Sequence, residues 1–350
     1  MTCGRTRRLS SRYGLSLYLY LSARRGAGTA QGAAFAAREA GIACTVFMWA
    51  TANPLKIEAT RGYGADVDLS AADPAEAHDR LLAYVEETGR VFVHPFDDPH
   101  VAAGQGTVAL EMLEDAPEID CFAVPIGGGG LISGISTVAR ALKPEAKIIG
   151  VQAELFPSMY NVIKGTNLPI GGDTLAEGIA VKYPGDLTRT FVRDLVDDIQ
   201  LVGERHLEES VSLLLQIEKT VVEGAGAAGL AALLKEPARY AGQRVGLVLC
   251  GGNIDPLLLA AIIERGMVRA GRLARIRVGA RDAPGVLARI TAIVAEAGAN
   301  IDEVQHQRAF SSLSVERAQI EVVVHTRGVA HIEHILGAMR DQGYQAERIG

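Results

Sequence analysis

From Ala33 onward, segments with apolar residues at helical spacing alternate with short, almost continuously apolar runs. Residues 74–89 are typical of an amphipathic helix, whereas residues 119–126 are typical of a buried strand. The repeated alternation predicts a doubly wound α/β body, in which helices cover both faces of parallel sheet. The predicted strands are residues 42–49, 65–70, 90–96, 119–126, 147–154 and 244–250. The predicted helices are residues 33–41, 53–64, 74–89, 104–117, 134–146, 204–220, 224–237 and 257–271.

The pattern changes at about Gly271. Residues 272–350 show the order strand, helix, strand, strand, helix, strand, which is the order of a ferredoxin-like α+β unit. Residues 155–184 are irregular and contain several glycines and prolines, so we expect a loop-rich excursion over the active face. The sequence therefore predicts two regions, an α/β body and a small α+β tail.

Composition narrows the class of protein. The chain has 350 residues, 48% hydrophobic residues and a formal net charge of −6, which argues against a nucleic-acid partner and an anionic membrane surface. No apolar run reaches the roughly 18 residues that a membrane helix needs. Four cysteines are scattered without a CxxC pair, so we expect neither a disulfide framework nor a metal site. A reducing cytoplasm fits these features best.

The start of the chain has a different composition. Residues 1–37 contain six arginines, and no acidic residue precedes Glu39. We interpret residues 1–30 as an atypical and aberrant N-terminus, after which ordinary globular sequence resumes. A mitochondrial transit peptide and a secretory signal are the alternatives.

The stretch VPIGGGGLISG, residues 124–134, places four glycines between a buried strand and a helix. Glycine loses much conformational entropy on folding, so four together indicate a loop that another group approaches closely. Backbone N–H groups at a helix N-terminus favour an anion, and phosphate is the anion we expect. The spacing matches neither GxGxxG nor GxxxxGK[ST], which argues against dinucleotides and nucleoside triphosphates. A tight turn without a ligand is the alternative.

A second glycine turn, residues 249–256, follows another apolar strand. Ligands of parallel sheets bind beyond the carboxyl ends of the strands, so two such turns predict one shared pocket.

Six segments together resemble the threonine ammonia-lyases, which are pyridoxal-phosphate enzymes with the fold of the tryptophan synthase β-subunit. They are ATRGYGADVDL, VHPFDDPHVAAGQGTVALEML, VPIGGGGLISGI, AEGIAVKYPGDLT, VEGAGAAGLAALL and CGGNIDPLLL, in the family's order. The tail, with RDAPGVLARITAIVAEAGANIDEV, resembles an ACT domain. The resemblance implies a catalytic region at residues 31–270 and a regulatory ACT domain at residues 272–350.

The resemblance also implies roles for individual residues. Cys250 falls beside the pyridine nitrogen of pyridoxal 5′-phosphate, where a neutral partner favours β-elimination over transamination. Gly178 and Glu223 line the pocket. The cofactor phosphate is held at Gly127, Gly128, Gly129, Gly130 and Leu131.

The implied reaction converts L-threonine, and less readily L-serine, to a keto acid and ammonia. In the family, the lysine of a Phe-Lys-x-Arg-Gly-Ala motif binds the cofactor and acts as the base. That motif is absent, and no lysine precedes Lys56, which we expect on a helix surface. The catalytic base is therefore left unassigned, and the chain as given is expected to be an incomplete enzyme.

In ACT domains, the first turn and the following strand contact an amino-acid effector across a paired domain. By position, the effector residues here are Asp282, Gly285, Asn300 and Ile301. A purely structural dimerisation module is the alternative, and both interpretations predict a homo-oligomer, a dimer or a tetramer. Serine racemase or serine dehydratase on the same fold, and a non-catalytic protein that binds amino acids, are the alternative functions.

Overall fold

The computed structural model describes residues 21–22, 27–307 and 317–349. Most of the predicted aberrant segment, residues 1–30, lies outside these residues.

The chain divides into two compact units, the first ending at Ile254 and the second beginning at Asp255. The sequence placed the change at about Gly271, one helix later. That helix groups with the second unit, where the guanidinium of Arg348 donates to the Val268 carbonyl at 3.3 Å.

The first unit alternates strands and helices as predicted. Strands β1 to β7 are Leu21–Ser22, Thr45–Trp49, Asp66–Ala71, Cys121–Pro125, Lys147–Ala153, Asp198–Val202 and Val245–Leu247. Helices α1 to α5 are Ala27–Ala40, Pro54–Gly62, Pro74–Thr88, Pro99–Asp115 and Gly130–Leu142. Helices α6 to α10 are Ser158–Lys164, Asp186–Leu195, Glu204–Gln216, Gly224–Lys235 and Pro237–Tyr240. A short 3-10 helix spans Glu177–Ile179.

Two parallel sheets form the framework of this unit. One has the strand order β1-β2-β3 and the other the order β6-β5-β4-β7. Strand β4 is buried along its whole length. Phe122 and Val124 pack into one core with residues of α5, whereas Cys121 and Ala123 pack into a second core with residues of α9. Helices therefore cover both faces of the larger sheet, which confirms the doubly wound α/β prediction.

The predicted strand at residues 90–96 is wrong. Those residues form no strand in the described structure, and at the end of the stretch local hydrogen bonds take the backbone N–H groups. Nδ1 of His94 accepts the backbone N–H groups of Phe96 at 3.3 Å and Asp97 at 2.8 Å, and Pro95 has no N–H to offer a neighbouring strand.

The sequence analysis did not name helices α6 and α7 or strand β6. Helix α6 lies within the predicted excursion, and α7 and β6 follow it. These elements are short, with seven, ten and five residues, which leaves little length over which a period can be recognised.

The second unit has the predicted ferredoxin-like order. Its elements are α11 (Pro256–Arg269), β8 (Leu273–Arg281), α12 (Val286–Glu296), β9 (Asn300–Gln307), β10 (Arg317–His325), α13 (Val329–Asp341) and β11 (Gln345–Ile349). The antiparallel sheet has the order β11-β8-β10-β9. Alternate residues such as Ile276, Val278 and Val322 pack against Ile290 and Ile332 of the helices and form the core of the unit.

Candidate active site at the carboxyl ends of two adjacent strands

The glycine turn follows strand β4 directly and leads into helix α5. The backbone N–H of Ile126 still donates to Val151 at 2.8 Å, after which the chain leaves the sheet. Gly129 is the N-cap residue of α5, with φ of +101°. An L side chain would be strained in this left-handed backbone, so glycine is required there.

Protein groups occupy the space where side chains would project from the turn. An ideal Cβ on Gly128 would lie 2.3 Å from the Phe96 ring, and one on Gly130 would lie 2.9 Å from Cα of Phe96. A Cβ on Gly129 would lie 2.7 Å from Cβ of Thr188. The close approach that requires these glycines is therefore that of Phe96 and Thr188. The sequence analysis attributed these glycines to the close approach of a ligand, whereas the structure shows that neighbouring protein groups require them.

The backbone N–H groups of the turn remain available. Within the described part of the chain, no acceptor takes a hydrogen bond from the N–H groups of Gly127 to Leu131. Gly128, Gly129 and Gly130 are buried, and buried N–H groups are nearly always paired. The positive end of the α5 dipole adds to their preference for an anion. The turn therefore fits a phosphate group, and the assignment of the phosphate site to Gly127 to Leu131 stays a prediction.

The second glycine turn lies beside the first. Strand β7 pairs in parallel with β4, so both strands end at the same edge of the sheet, which confirms the predicted arrangement. The N–H of Glu223 donates to the Gly251 carbonyl at 3.0 Å. A Cβ on Gly178 would lie 3.0 Å from Oε1 of Glu223, and one on Gly127 would lie 3.4 Å from the Gly178 carbonyl oxygen. Gly127, Gly178 and Glu223 thus form one continuous wall.

Burial shifts the pKa values of the titratable side chains beside this wall. It raises the pKa of the Cys250 thiol to about 11, and the neighbouring Glu223 acts in the same direction. Burial also raises the pKa of Glu223, while the positive charge of Lys56 partly opposes that effect. The thiol of Cys250 is therefore neutral at pH 7. Lys56 belongs to helix α2 but lies within electrostatic reach of the pocket, which the sequence analysis did not foresee.

The predicted effector residues do not converge within one copy of the second unit. Asp282 follows the end of β8, where its carboxylate lies 3.8 Å from Nε2 of His306. Asn300 pairs with His325, which in turn pairs with Leu273 at the opposite end of β8. The antiparallel register thus separates the predicted residues into two groups, one at each end of the sheet. Gly285 lies with Asp282, and Ile301 follows Asn300 along β9.

Comparison with known proteins identifies the class. The family model described as pyridoxal-phosphate dependent enzyme matches residues 26–251, and the ACT domain model matches residues 274–343. The chain belongs to the pyridoxal-phosphate-dependent enzyme family and carries an ACT domain after the catalytic region. Pyridoxal phosphate is accordingly its cofactor, as the sequence predicted.

Two individual relatives carry the name of one particular activity. The chain is 44% identical to an L-threonine ammonia-lyase of Geobacter sulfurreducens over 318 residues, which cover 90% of this chain and 79% of the relative. It is 43% identical to an L-threonine ammonia-lyase of Thermotoga maritima over 323 residues, 92% of this chain and 80% of the relative.

Solved structures of two related enzymes are similar to this chain in fold. The crystal structure of a T.th. threonine deaminase has a TM-score of 0.64 at 36% identity, covering 71% of this chain and 82% of that one. A maize serine racemase structure has a TM-score of 0.63 at 31% identity, covering 72% and 77%. Among the described helices, none has the length and apolar character needed to cross a membrane.

The sequence analysis missed three residues that shape the glycine turn, namely Phe96, Asp97 and Thr188. Two of them belong to the HPFDDP stretch, which was used only for the resemblance. The available signal for Thr188 was a small polar residue one helical turn before Val192. Both side chains are buried on the same face of α7.

Proposed function

We propose that the protein is a threonine ammonia-lyase, which converts L-threonine to 2-oxobutyrate and ammonia and L-serine to pyruvate and ammonia. The observation that carries the proposal is the row of N–H groups at Gly127 to Leu131, for which no described residue supplies an acceptor and of which those of Gly128 to Gly130 are buried, beside the wall of Gly127, Gly178 and Glu223. Two relatives above 40% identity bear the name of this activity, and so does the deaminase structure.

The chain's own residues have distinct tasks in this proposal. The N–H groups of the glycine turn hold the phosphate of pyridoxal phosphate. When bound, the cofactor supplies an electron sink that makes the α-hydrogen of an amino acid acidic. Cys250, neutral at pH 7, lies where the resemblance places the pyridine nitrogen, so it leaves that nitrogen unprotonated and weakens the sink. Elimination removes the α-hydrogen and the β-hydroxyl together as water, and a water then hydrolyses the C=N bond of the resulting imine to give the keto acid and ammonia, so that no water is consumed in the net reaction.

The amine that binds the cofactor is the decisive question for this chain. The family match begins at residue 26, and none of the first 55 residues is a lysine. Lys56 is a candidate replacement, because it lies close enough to Glu223 to lower the pKa of that carboxyl.

The test is to incubate the purified chain with pyridoxal phosphate, reduce it with borohydride and locate modified lysines by peptide mass mapping. The Lys56→Arg variant is the matched control. One stoichiometric adduct that is absent from Lys56→Arg, together with 2-oxobutyrate formation from L-threonine, would show that Lys56 takes the place of the missing lysine and would support the lyase activity. No adduct and no keto acid would contradict the lyase activity of this polypeptide and favour the non-catalytic, amino-acid-binding alternative.

Serine racemase is the second candidate, since a serine racemase structure shares 31% identity and the fold. Incubation with L-serine separates the two, because a racemase forms D-serine while a lyase forms pyruvate. The ACT domain favours the lyase.

An amino-acid effector and a homo-oligomer complete the proposal. Because Asp282 and Asn300 lie at opposite ends of one sheet, a site that uses both needs a second copy of the domain. Sedimentation of the full chain with and without candidate amino acids tests this arrangement.

The three described cysteines are unpaired, which supports the predicted cytoplasmic location.

A further inference from the structure

Thr188 connects helix α7 to the glycine turn. Its side chain is fully buried, and its hydroxyl donates to the carbonyl oxygen of Gly128 at 2.6 Å. The N–H of Gly185 donates to the same oxygen at 3.3 Å. The Gly128 carbonyl is therefore fixed in direction by two donors from one segment.

Asp97 fixes the position of Thr188 in turn. Its carboxylate accepts three consecutive N–H groups at the start of α7, from Asp186 at 3.0 Å, Leu187 at 3.0 Å and Thr188 at 3.1 Å. These N–H groups have no partner within the helix, so Asp97 acts as a cap supplied by a distant segment. The preceding residue, Phe96, covers the other side of the turn at Gly128.

The direction of one carbonyl determines the direction of the next N–H. In a planar trans peptide, the C=O of Gly128 and the N–H of Gly129 point in opposite directions. Holding the carbonyl on Thr188 therefore aims the Gly129 N–H away from α7. That N–H is one of the groups for which no described residue supplies an acceptor.

We propose that Thr188, held in place by Asp97, is a positioning residue that aims the Gly129 N–H at the cofactor phosphate. The inference rests on the proposed cofactor site. It assigns Thr188 a role in affinity for phosphate, beyond its contribution to packing. Asp97 acts one step further away, through the start of α7.

The test measures binding of pyridoxamine 5′-phosphate to the full chain by calorimetry. This probe has no aldehyde, so the result does not depend on any lysine. Thr188→Val removes the hydroxyl at nearly constant volume and is expected to weaken binding about tenfold, the upper range for one hydrogen bond. Thr188→Ser restores the hydroxyl and should bind within about twofold of wild type. Thr190→Val, on the same helix, removes a hydroxyl that donates to the Leu187 carbonyl oxygen at 2.7 Å and should leave binding unchanged.

Three further results are decisive. Equal affinity of Thr188→Val and wild type would overturn the positioning role while leaving the cofactor site intact. Failure of wild type to bind the probe would overturn the cofactor site, and this inference with it. If Thr188→Val does not fold, Asp97→Asn takes its place, and a several-fold loss of affinity with an unchanged circular dichroism spectrum is expected. Unchanged affinity in that variant would overturn the inference.

Discussion

Nδ1 of His94 accepts the backbone N–H of Asp97 at 2.8 Å, so the imidazole fixes the turn from which Asp97 caps helix α7. This bond requires an unprotonated Nδ1. Burial lowers the pKa of His94, with smaller opposing effects from Asp97 and Asp98 and a further lowering by His78.

The first prediction is that the free energy of unfolding falls as pH decreases below about 6.5, the pKa of histidine in an unfolded chain. In that window the unfolded chain binds the proton before the folded chain does, so protonation favours unfolding. His94→Asn keeps an acceptor but does not titrate, and it should flatten the pH dependence of urea denaturation. His100→Asn removes an exposed histidine from the same segment and serves as control. An unchanged slope in His94→Asn would show that His94 is not responsible.

The second prediction concerns the packing of the glycine turn. Gly128→Ala places a methyl group against the Phe96 ring and should destabilise the fold by roughly 1–3 kcal/mol. Gly32→Ala is the matched control, because Gly32 lies in α1 with nothing within 4 Å of an added Cβ. It should stabilise by about 0.5–1 kcal/mol. Thermal unfolding of both variants measures the difference. Similar midpoints would contradict the packing described here.

The third prediction is that iodoacetamide spares Cys250 in the native protein at pH 7. Alkylation needs the thiolate, and burial together with Glu223 raises the pKa of this thiol to about 11. In urea, the same cysteine should react readily. Peptide mapping after alkylation under both conditions provides the measurement. Rapid native alkylation would mean that Cys250 is ionised or exposed, and that it cannot serve as a neutral partner.

The fourth prediction concerns the buried side-chain pair beneath α9. The Tyr240 hydroxyl donates to Oε1 of Gln200 at 2.6 Å, while Nε2 of Gln200 donates to the Ala232 carbonyl at 3.0 Å. Tyr240→Phe leaves the Gln200 oxygen buried without that donor, so a loss of about 1–3 kcal/mol is expected. Tyr183→Phe, at an exposed position, should change stability little. Chemical denaturation distinguishes the two variants.

The features that the sequence predicted correctly are those that neighbouring residues determine. The turn at residues 127–130 was found because a buried strand, four glycines and a helix follow one another directly. The role of Thr188 could not be found in this way, since its hydrogen bond to Gly128 spans 60 residues. The false strand at residues 90–96 shows the converse. Its apolar alternation was real, but one histidine side chain and Pro95 determined the local hydrogen bonding.

The residues around Asp282 and Asn300 in the sequence do not show whether the two lie at the same end of the sheet. Both sit at strand ends, as predicted, but the antiparallel pairing of β10 with β8 and β9 decides which ends lie together.

If the proposed effector site combines Asp282 of one copy with Asn300 of another, this register links the effector response to protein concentration. A ligand held by Asp282 of one copy and Asn300 of another binds only to the associated species. By mass action, its apparent affinity falls when the protein is diluted below the dissociation constant of the assembly. An effector titration at two protein concentrations would then yield two different midpoints, and the ligand would in turn strengthen the association that creates its site.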